Sequence, residues 1–297
     1  MTDVFLAAQR FLLAEGRLLE RRLFGTLFDG QPADGVLDAL RGYQNADGGF
    51  GHGLEPDKRC PASLPIDVEV AFQAMASAGT GDADMLRRAC DFLGRTAEQV
   101  DAGGAVPPAF PVIESFPRAE HWSDWTYEPC VNPTAGLAGL LYRLDFDHPW
   151  RATATAFCWQ AIETGALPDE VHALAEVLSF LARVPDRERA ERHAPAVLER
   201  LAASPMYQAV PKPGEYGLTP LSVASTADSP WRDAFAEDEL AAHLDQLAAA
   251  QQPDGGWPVT WQPPSEASRL EWRGMVTLGA LRTLISYGRL TPPSAGT

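Results

Sequence analysis

The sequence predicts an all-α protein built from paired helices, and three observations carry that expectation. Apolar residues recur at helical spacing in one segment after another, while the alternation typical of strands is scarce. The links between these segments tend to alternate between short and long. A short phrase ending in an aromatic residue occurs twice, each time where a helix gives way to a long loop.

Helical periodicity covers 3–24, 33–43, 65–78, 83–96, 132–144, 149–163, 168–183, 187–203, 236–251 and 269–288, with an eleventh, shorter segment at 217–226. Several have clear start signals. Asn132 precedes Pro133, a capping residue followed by a proline whose fixed φ suits a first turn. Pro149 and Pro168 fall where two more helices begin, and Gly79 ends another. Long loops occupy 44–64, 97–131, 204–216 and 252–268. Short links occupy 79–82, 145–148 and 184–186 and, against the alternation, 164–167. Antiparallel neighbours joined in this way place the long loops at one end of the bundle, where binding and chemistry collect.

The same alternation sorts the helices. Those after long loops (65–78, 132–144, 217–226 and 269–288) are short of charge and carry small residues such as Gly136, Ala138 and Gly139. Those before long loops, such as 83–96 and 187–203, are amphipathic and rich in Arg and Glu. Inner helices covered on both sides and outer helices facing water divide in this manner. With 3–24 counted as inner, the chain reads as a single domain over 1–297: an α/α toroid of approximately six helical hairpins, with inner and outer rings.

Composition narrows the class further. A chain of 297 residues buries enough surface to fold without staples. Hydrophobic residues at 45% and charged residues at 22% are ordinary for a globular protein. The net charge of −16 argues against nucleic acid and against anionic membrane surfaces as partners. Cys60, Cys90, Cys130 and Cys158 form no tight pair, so neither a zinc ribbon nor a disulfide framework is expected, and Cys90 and Cys158 sit in apolar helical patterns as buried thiols. Met1-Thr2-Asp3 lacks a basic leader, and no apolar run reaches the ~20 residues of a membrane span. The expected location is cytoplasmic, with no stable membrane insertion.

The repeated phrase is Gln44-Asn45-Ala46-Asp47-Gly48-Gly49-Phe50 and Gln251-Gln252-Pro253-Asp254-Gly255-Gly256-Trp257. Its separation fits four hairpins of about 50 residues each. Gln can hydrogen-bond a neighbouring helix end, Asp-Gly-Gly makes a tight turn with positive φ, and the aromatic packs the turn against the next hairpin. The pattern Q-x-x-D-G-G-[FW] resembles the QW-type repeat of squalene–hopene cyclases and related class II terpene cyclases. A similar turn occurs in protein prenyltransferase β subunits. The resemblance implies an α/α toroid along most of the chain, with its specific part confined to 44–50 and 251–257.

Class II cyclases start a carbocation with the middle Asp of a D-x-D-D motif. This sequence has none; the nearest matches are Asp67-Val68-Glu69-Val70 and Asp145-Phe146-Asp147-His148. The first opens an inner helix after a repeat loop, so the resemblance implies Glu69 as the acid, with Glu55 as its alternative and His52 or Glu128 taking a proton back. No DDxxD-like magnesium site is present. Asp57, Cys60 and His52 match the zinc ligands of prenyltransferases in composition, but not the D-x-C spacing. No metal and no cofactor is expected.

Polar and aromatic residues concentrate in the long loops. His52, Glu55 and Asp57 lie in the first, and His121, Trp122, Trp125, Tyr127, Glu128 and Asn132 close the second. Trp257, Trp261, Glu271, Trp272 and Arg273 follow the second copy of the phrase. Together these two later stretches hold five of the eight tryptophans. Catalytic candidates are therefore Glu69, Glu55, Asp57, His52 and Glu128. Substrate-binding candidates are His121, Trp122, Trp125, Tyr127, Asn132, Trp257, Trp261, Glu271, Trp272 and Arg273. Taken singly, Glu55 and Asp57 also suit turn capping around Pro56, and Glu271 with Arg273 suits an ion pair across a helix start. Glu170 and His172, at the start of 168–183, are minor candidates.

Three functions compete. The first is an isomerase or lyase that acts on a small hydrophobic, isoprenoid substrate by acid-initiated cyclisation or isomerisation, with aromatic faces stabilising cations. The second is a carbohydrate-active hydrolase, lyase or epimerase, for which Trp platforms and paired carboxylates are suited. The third is a non-catalytic toroid that binds a ligand.

Overall fold

Helices account for nearly all the regular structure of the computed structural model, which describes residues 2–293. Among the described residues there are twelve α-helices and no strand, only isolated β-bridges. No helix among them is long and apolar enough to cross a membrane. The chain divides into two compact units. One runs from Val36 to Ser204, and the other joins the residues up to Gly35 with those from Pro205 onward.

In the contiguous unit, the end of α3 (Asp34–Arg41) leads into α4 (Pro65–Ala78), α5 (Ala83–Gln99), α6 (Val131–Arg143), α7 (Pro149–Thr164), α8 (Val171–Leu181) and α9 (Arg187–Ala203). α6 packs against α4, α7 and α8, while α5 packs on α7 and α9 on α8. The sequence of α6 explains its central place. From Pro133 to Leu141 every residue is buried, and Gly136 and Gly139 let neighbours approach closely. α9, by contrast, buries one stripe, Ala190, Ala194, Val197 and Leu201, at helical spacing. Cys90 and Cys158 are buried, and burial pushes the Cys90 thiol up to about 12.

The other unit contains α1 (Thr2–Glu15), α2 (Leu18–Phe28), α10 (Pro220–Val223), α11 (Glu237–Ala249) and α12 (Glu266–Ser286). α1 packs on α2 and α12, and α11 packs on α10 and α12. The expected helix at 3–24 is two helices. Gly16 N–H still bonds Leu12 O at 3.0 Å, but Arg17 is extended (φ −61°, ψ 166°) and the next helix starts after it. Arg21 Nε caps the break by donating to Gly16 O at 2.8 Å, and Arg17 pairs with Glu20 at 2.7 Å. The expected segment at 217–226 contracts to the single turn of α10. α8 starts three residues later than its periodicity suggests, because Glu170 caps it by accepting from the N–H groups of His172 and Ala173.

The two copies of the repeated phrase fold alike. Gln44 Nε2 donates to Gly48 O (2.9 Å) and to Met85 O in the first turn of α5 (3.0 Å). Gln251 Nε2 donates to Gly255 O and to Val4 O in the first turn of α1, both at 2.8 Å. Gly48 and Gly255 have φ of 96° and 95°, and each passes so close to a neighbouring carbonyl (Arg88 O or Ala7 O) that a Cβ would overlap it. Asp47 and Asp254 each accept the N–H two residues on, and Phe50 and Trp257 are buried behind the turn.

Candidate active site

In the contiguous unit, two groups of ionisable side chains meet near the start of α4. Leu64 is extended and Pro65 occupies the first turn, so the chain enters the helix with Asp67 and Glu69 already buried. Asp67 Oδ1 accepts the Glu55 N–H at 2.7 Å, which ties the loop at 44–64 to the helix that carries Glu69.

Around Glu55, the loop folds on its own charges. Glu55 accepts the Asp57 N–H at 3.1 Å and forms a close ion pair with Lys58. Lys58 is fully buried, and its ammonium lies 4.0 Å from the centroid of a Trp122 ring. Burial pushes the Glu55 carboxyl above its ordinary value, and the Lys58 ammonium offsets only part of the shift. Asp57 is buried and faces the exposed His121 at 3.3 Å. Backbone bonds from Ala119 to Asp57 O and from Arg59 to Pro117 O stitch the two long loops together. Trp122 and Trp125 pack at 4.6 Å beside an apolar cluster that includes Cys60, Leu64 and Ile113. Neither indole N–H has a hydrogen-bond partner.

Glu69 belongs to the second group. It is 4% exposed and hydrogen-bonded to Glu176 of α8 and to Gln73 one turn along α4. Gly136 of α6 lies between the two carboxyls, so close that a methyl group there would overlap both Glu69 Oε1 and Glu176 Oε2. Glu69 Oε1 is buried with no hydrogen-bond partner. Burial, and next the negative charge of Glu176, hold the Glu69 carboxyl well above its ordinary value. Burial also raises Glu176, while its hydrogen bond with Glu69 and the Arg183 guanidinium pull it down. Of the two carboxyls, Glu69 is the one whose hold on a proton is raised further.

The remaining candidates in this unit stand apart from Glu69's bonding partners. His52, in the left-handed region at φ 61°, bonds Asn45 Oδ1 at 2.9 Å and so belongs to the repeat turn. Tyr127 donates its hydroxyl to Glu114 at 3.0 Å, and Glu128 is exposed. Asn132 makes no cap; it is extended (φ −101°, ψ 111°), with a cis peptide to Pro133, and its carbonyl accepts from the Cys130 thiol. Glu170 and His172 pair with each other at the start of α8. Among the described residues, no three His, Cys, Asp or Glu side chains gather as metal ligands, so Asp57, Cys60 and His52 form no such set.

Trp257, Trp261, Glu271, Trp272 and Arg273 belong to the other unit. Trp257 is sealed, with its indole N–H donated to Leu247 O at 2.7 Å. Arg273 does not pair with Glu271. It grips both carboxylate oxygens of Asp254 at 2.7 Å, donates to Trp257 O and lies over the Phe11 ring. These two side chains fasten the turn. Trp261 meets Trp272 edge-to-face at 5.0 Å and Tyr216 at 5.7 Å.

Sequence reasoning reached Glu69 but missed Glu176, Gln73, Arg183 and Lys58. Glu176 had a signal, as the one acidic residue within the apolar run Val171–Leu181. Compared with known proteins, the chain matches no family model and no curated sequence.

Proposed function

We propose that the chain is a terpenoid-cyclase-like α/α toroid that transforms a hydrophobic, isoprenoid-type substrate by acid-initiated cyclisation or isomerisation. The observation that supports this reading is the burial of the Glu69 carboxyl against Glu176 over Gly136, which raises its hold on a proton. A carboxyl with a raised pKa holds its proton to higher pH than an ordinary one, which suits it to act as a general acid. When Glu69 releases the proton, Arg183 supplies the positive charge that favours the anion, and a later loss of a substrate proton restores the acid. Burial also weakens the acid, so an epoxide oxygen is a better acceptor than an unactivated alkene carbon. The proton goes to that oxygen, the carbon–oxygen bond breaks, and loss of a proton from the resulting cation gives a product of unchanged mass.

A glycoside hydrolase is the less suitable reading of this pair. Its two carboxyls stand roughly 5–10 Å apart to flank a glycosidic bond. Glu69 and Glu176 are in hydrogen-bond contact.

The test is a mass-spectrometric screen of linear isoprenoids as alcohols, diphosphates and terminal epoxides. An isomeric product that disappears in Glu69→Gln supports the proposal. A folded sample that converts none of them sinks it and leaves a ligand-binding toroid as the reading, and an equally active Glu69→Gln sinks it by removing Glu69 as the acid.

A further inference from the structure

We propose that a groove in the unit containing α1, α2, α10, α11 and α12 binds a neutral polyhydroxylated ligand, with a sugar ring as its simplest form, seated beside Trp261 and hydrogen-bonded to Gln246. The groove has a volume of 360 Å³ and is lined by residues that include Gln208, His243, Gln246, Trp261, Gly279 and Thr283. That volume lies at the lower end of small-molecule sites, which combine apolar and aromatic walls with a few placed polar groups.

Gln246 gives the first reason for a ligand. Its side-chain oxygen is buried and accepts no hydrogen bond, although the residue lines the groove. A buried amide oxygen without a donor is costly, and a ligand hydroxyl supplies the donor once the amide turns its enclosed oxygen into the groove. Gly279 gives the second. It lies in the middle of α12, and a Cβ built on it would meet no atom within 4 Å, so the space above the helix is open. A glycine within a helix is unfavourable relative to alanine, and here it leaves room that no side chain of the protein uses.

The ligand class follows from charge and shape. The groove's ionisable residues are Lys212, Glu215 and His243. Lys212 and Glu215 face each other at 3.8 Å and are both exposed. His243 is buried and its Nε2 faces Ala209 O at 3.2 Å. No uncompensated charge awaits an ionic ligand. Trp261 meets Tyr216 and Trp272 in perpendicular contacts (78° and 82°) and forms an aromatic wall of the groove. A ring with apolar C–H faces and hydroxyls at its edge satisfies both the indole and Gln246. A linear hydrocarbon would leave Gln246 unpaired.

The experiment is calorimetric titration of the full chain with D-glucose, N-acetylglucosamine and maltose, and with farnesol as the apolar probe. Saturable binding of at least one sugar is expected. It should weaken about tenfold in Gln246→Leu, the loss of one buried hydrogen bond, and disappear in Gly279→Leu, which fills the groove from a position where a Cβ meets nothing. Thermal melting should confirm that both variants stay folded, and Gly279→Leu keeps the test informative if Gln246→Leu does not fold. The inference is overturned if no sugar binds saturably at millimolar concentration, if both folded variants bind as the parent does, or if farnesol alone binds.

Discussion

Glu69 of α4 and Glu176 of α8 bring their carboxyls together over Gly136 of α6, the helix that packs against both of the others, so that three helices meet at one pair of acids. Folding strengthens the hold of Glu69 on a proton, because burial disfavours its charge and Glu176 stands beside it.

The sign of the pH dependence follows. The folded-state pKa of Glu69 is raised above its ordinary value of 4.5, so its contribution to stability is fully present below that value and is lost as pH rises through the folded-state value. A tenfold gain in the proton's affinity on folding corresponds to about 1.4 kcal/mol. The melting temperature of the parent chain should fall from mildly acidic to alkaline pH. The fall should be smaller in Glu69→Gln, whose amide cannot ionise. Parallel melting curves for the two proteins across that range would refute the raised pKa of Glu69.

Gly136→Ala should destabilise the fold by about 1–3 kcal/mol, the usual cost of overpacking. Its methyl group overlaps both carboxyls. Combining it with Glu176→Ala should recover part of the loss, because the second change removes one of the colliding groups. Chemical denaturation of the single and double variants checks this, and strict additivity would contradict the geometry.

Lys58→Met should cost about 3–5 kcal/mol, since it strands the buried Glu55 carboxyl without its cation. Replacing both partners, as Lys58→Met with Glu55→Leu, should be much closer to the parent. Tryptophan emission should shift in Lys58→Met, because the ammonium leaves the Trp122 ring. A double variant no more stable than the single one would show that the pair is not the unit at stake.

Gly48→Ala and Gly255→Ala should each cost on the order of 1–3 kcal/mol or more, through strain at positive φ and collision with a carbonyl. Gly30→Ala is the control. It also has positive φ (67°), but a Cβ there meets nothing within 4 Å, so its loss should be smaller. Equal losses at all three positions would remove the close approach as a cause.

What could be read from the sequence was whatever depends on neighbours along the chain. The repeated turn is one case. Gln, Asp and Gly at fixed offsets specify their own hydrogen bonds, and both copies make them. The helices from 65 to 203 are another: α5 and α9 bury the apolar stripe that their spacing sets, and the charge-poor α4 and α6 are covered on nearly all sides. The break at Gly16 was hidden because one glycine inside a helical pattern is compatible with either outcome, and here the Arg17–Glu20 and Arg21–Gly16 contacts favour a restart. The partners of Glu69 were hidden for a different reason. Glu176 and Arg183 come from another part of the chain, and no spacing rule links them to Glu69. Lys58 reads as a solvated loop residue until Trp122, from the next long loop, covers it.

The repeated turn also bears on the order of assembly during synthesis. The copy at 44–50 clasps α5, a helix made within the next few dozen residues, so the unit from Val36 to Ser204 can complete its contacts from one continuous stretch of nascent chain. The copy at 251–257 clasps α1, across 247 residues from Gln251 to Val4. α1 leaves the ribosome well before the turn that clasps it and waits while the residues between them are made. Its apolar face, with Phe5, Phe11 and Leu12, stays without α12 until the whole stretch from Val36 to Ser204 has been made, which leaves it in need of a chaperone's protection for longer than any helix of that stretch.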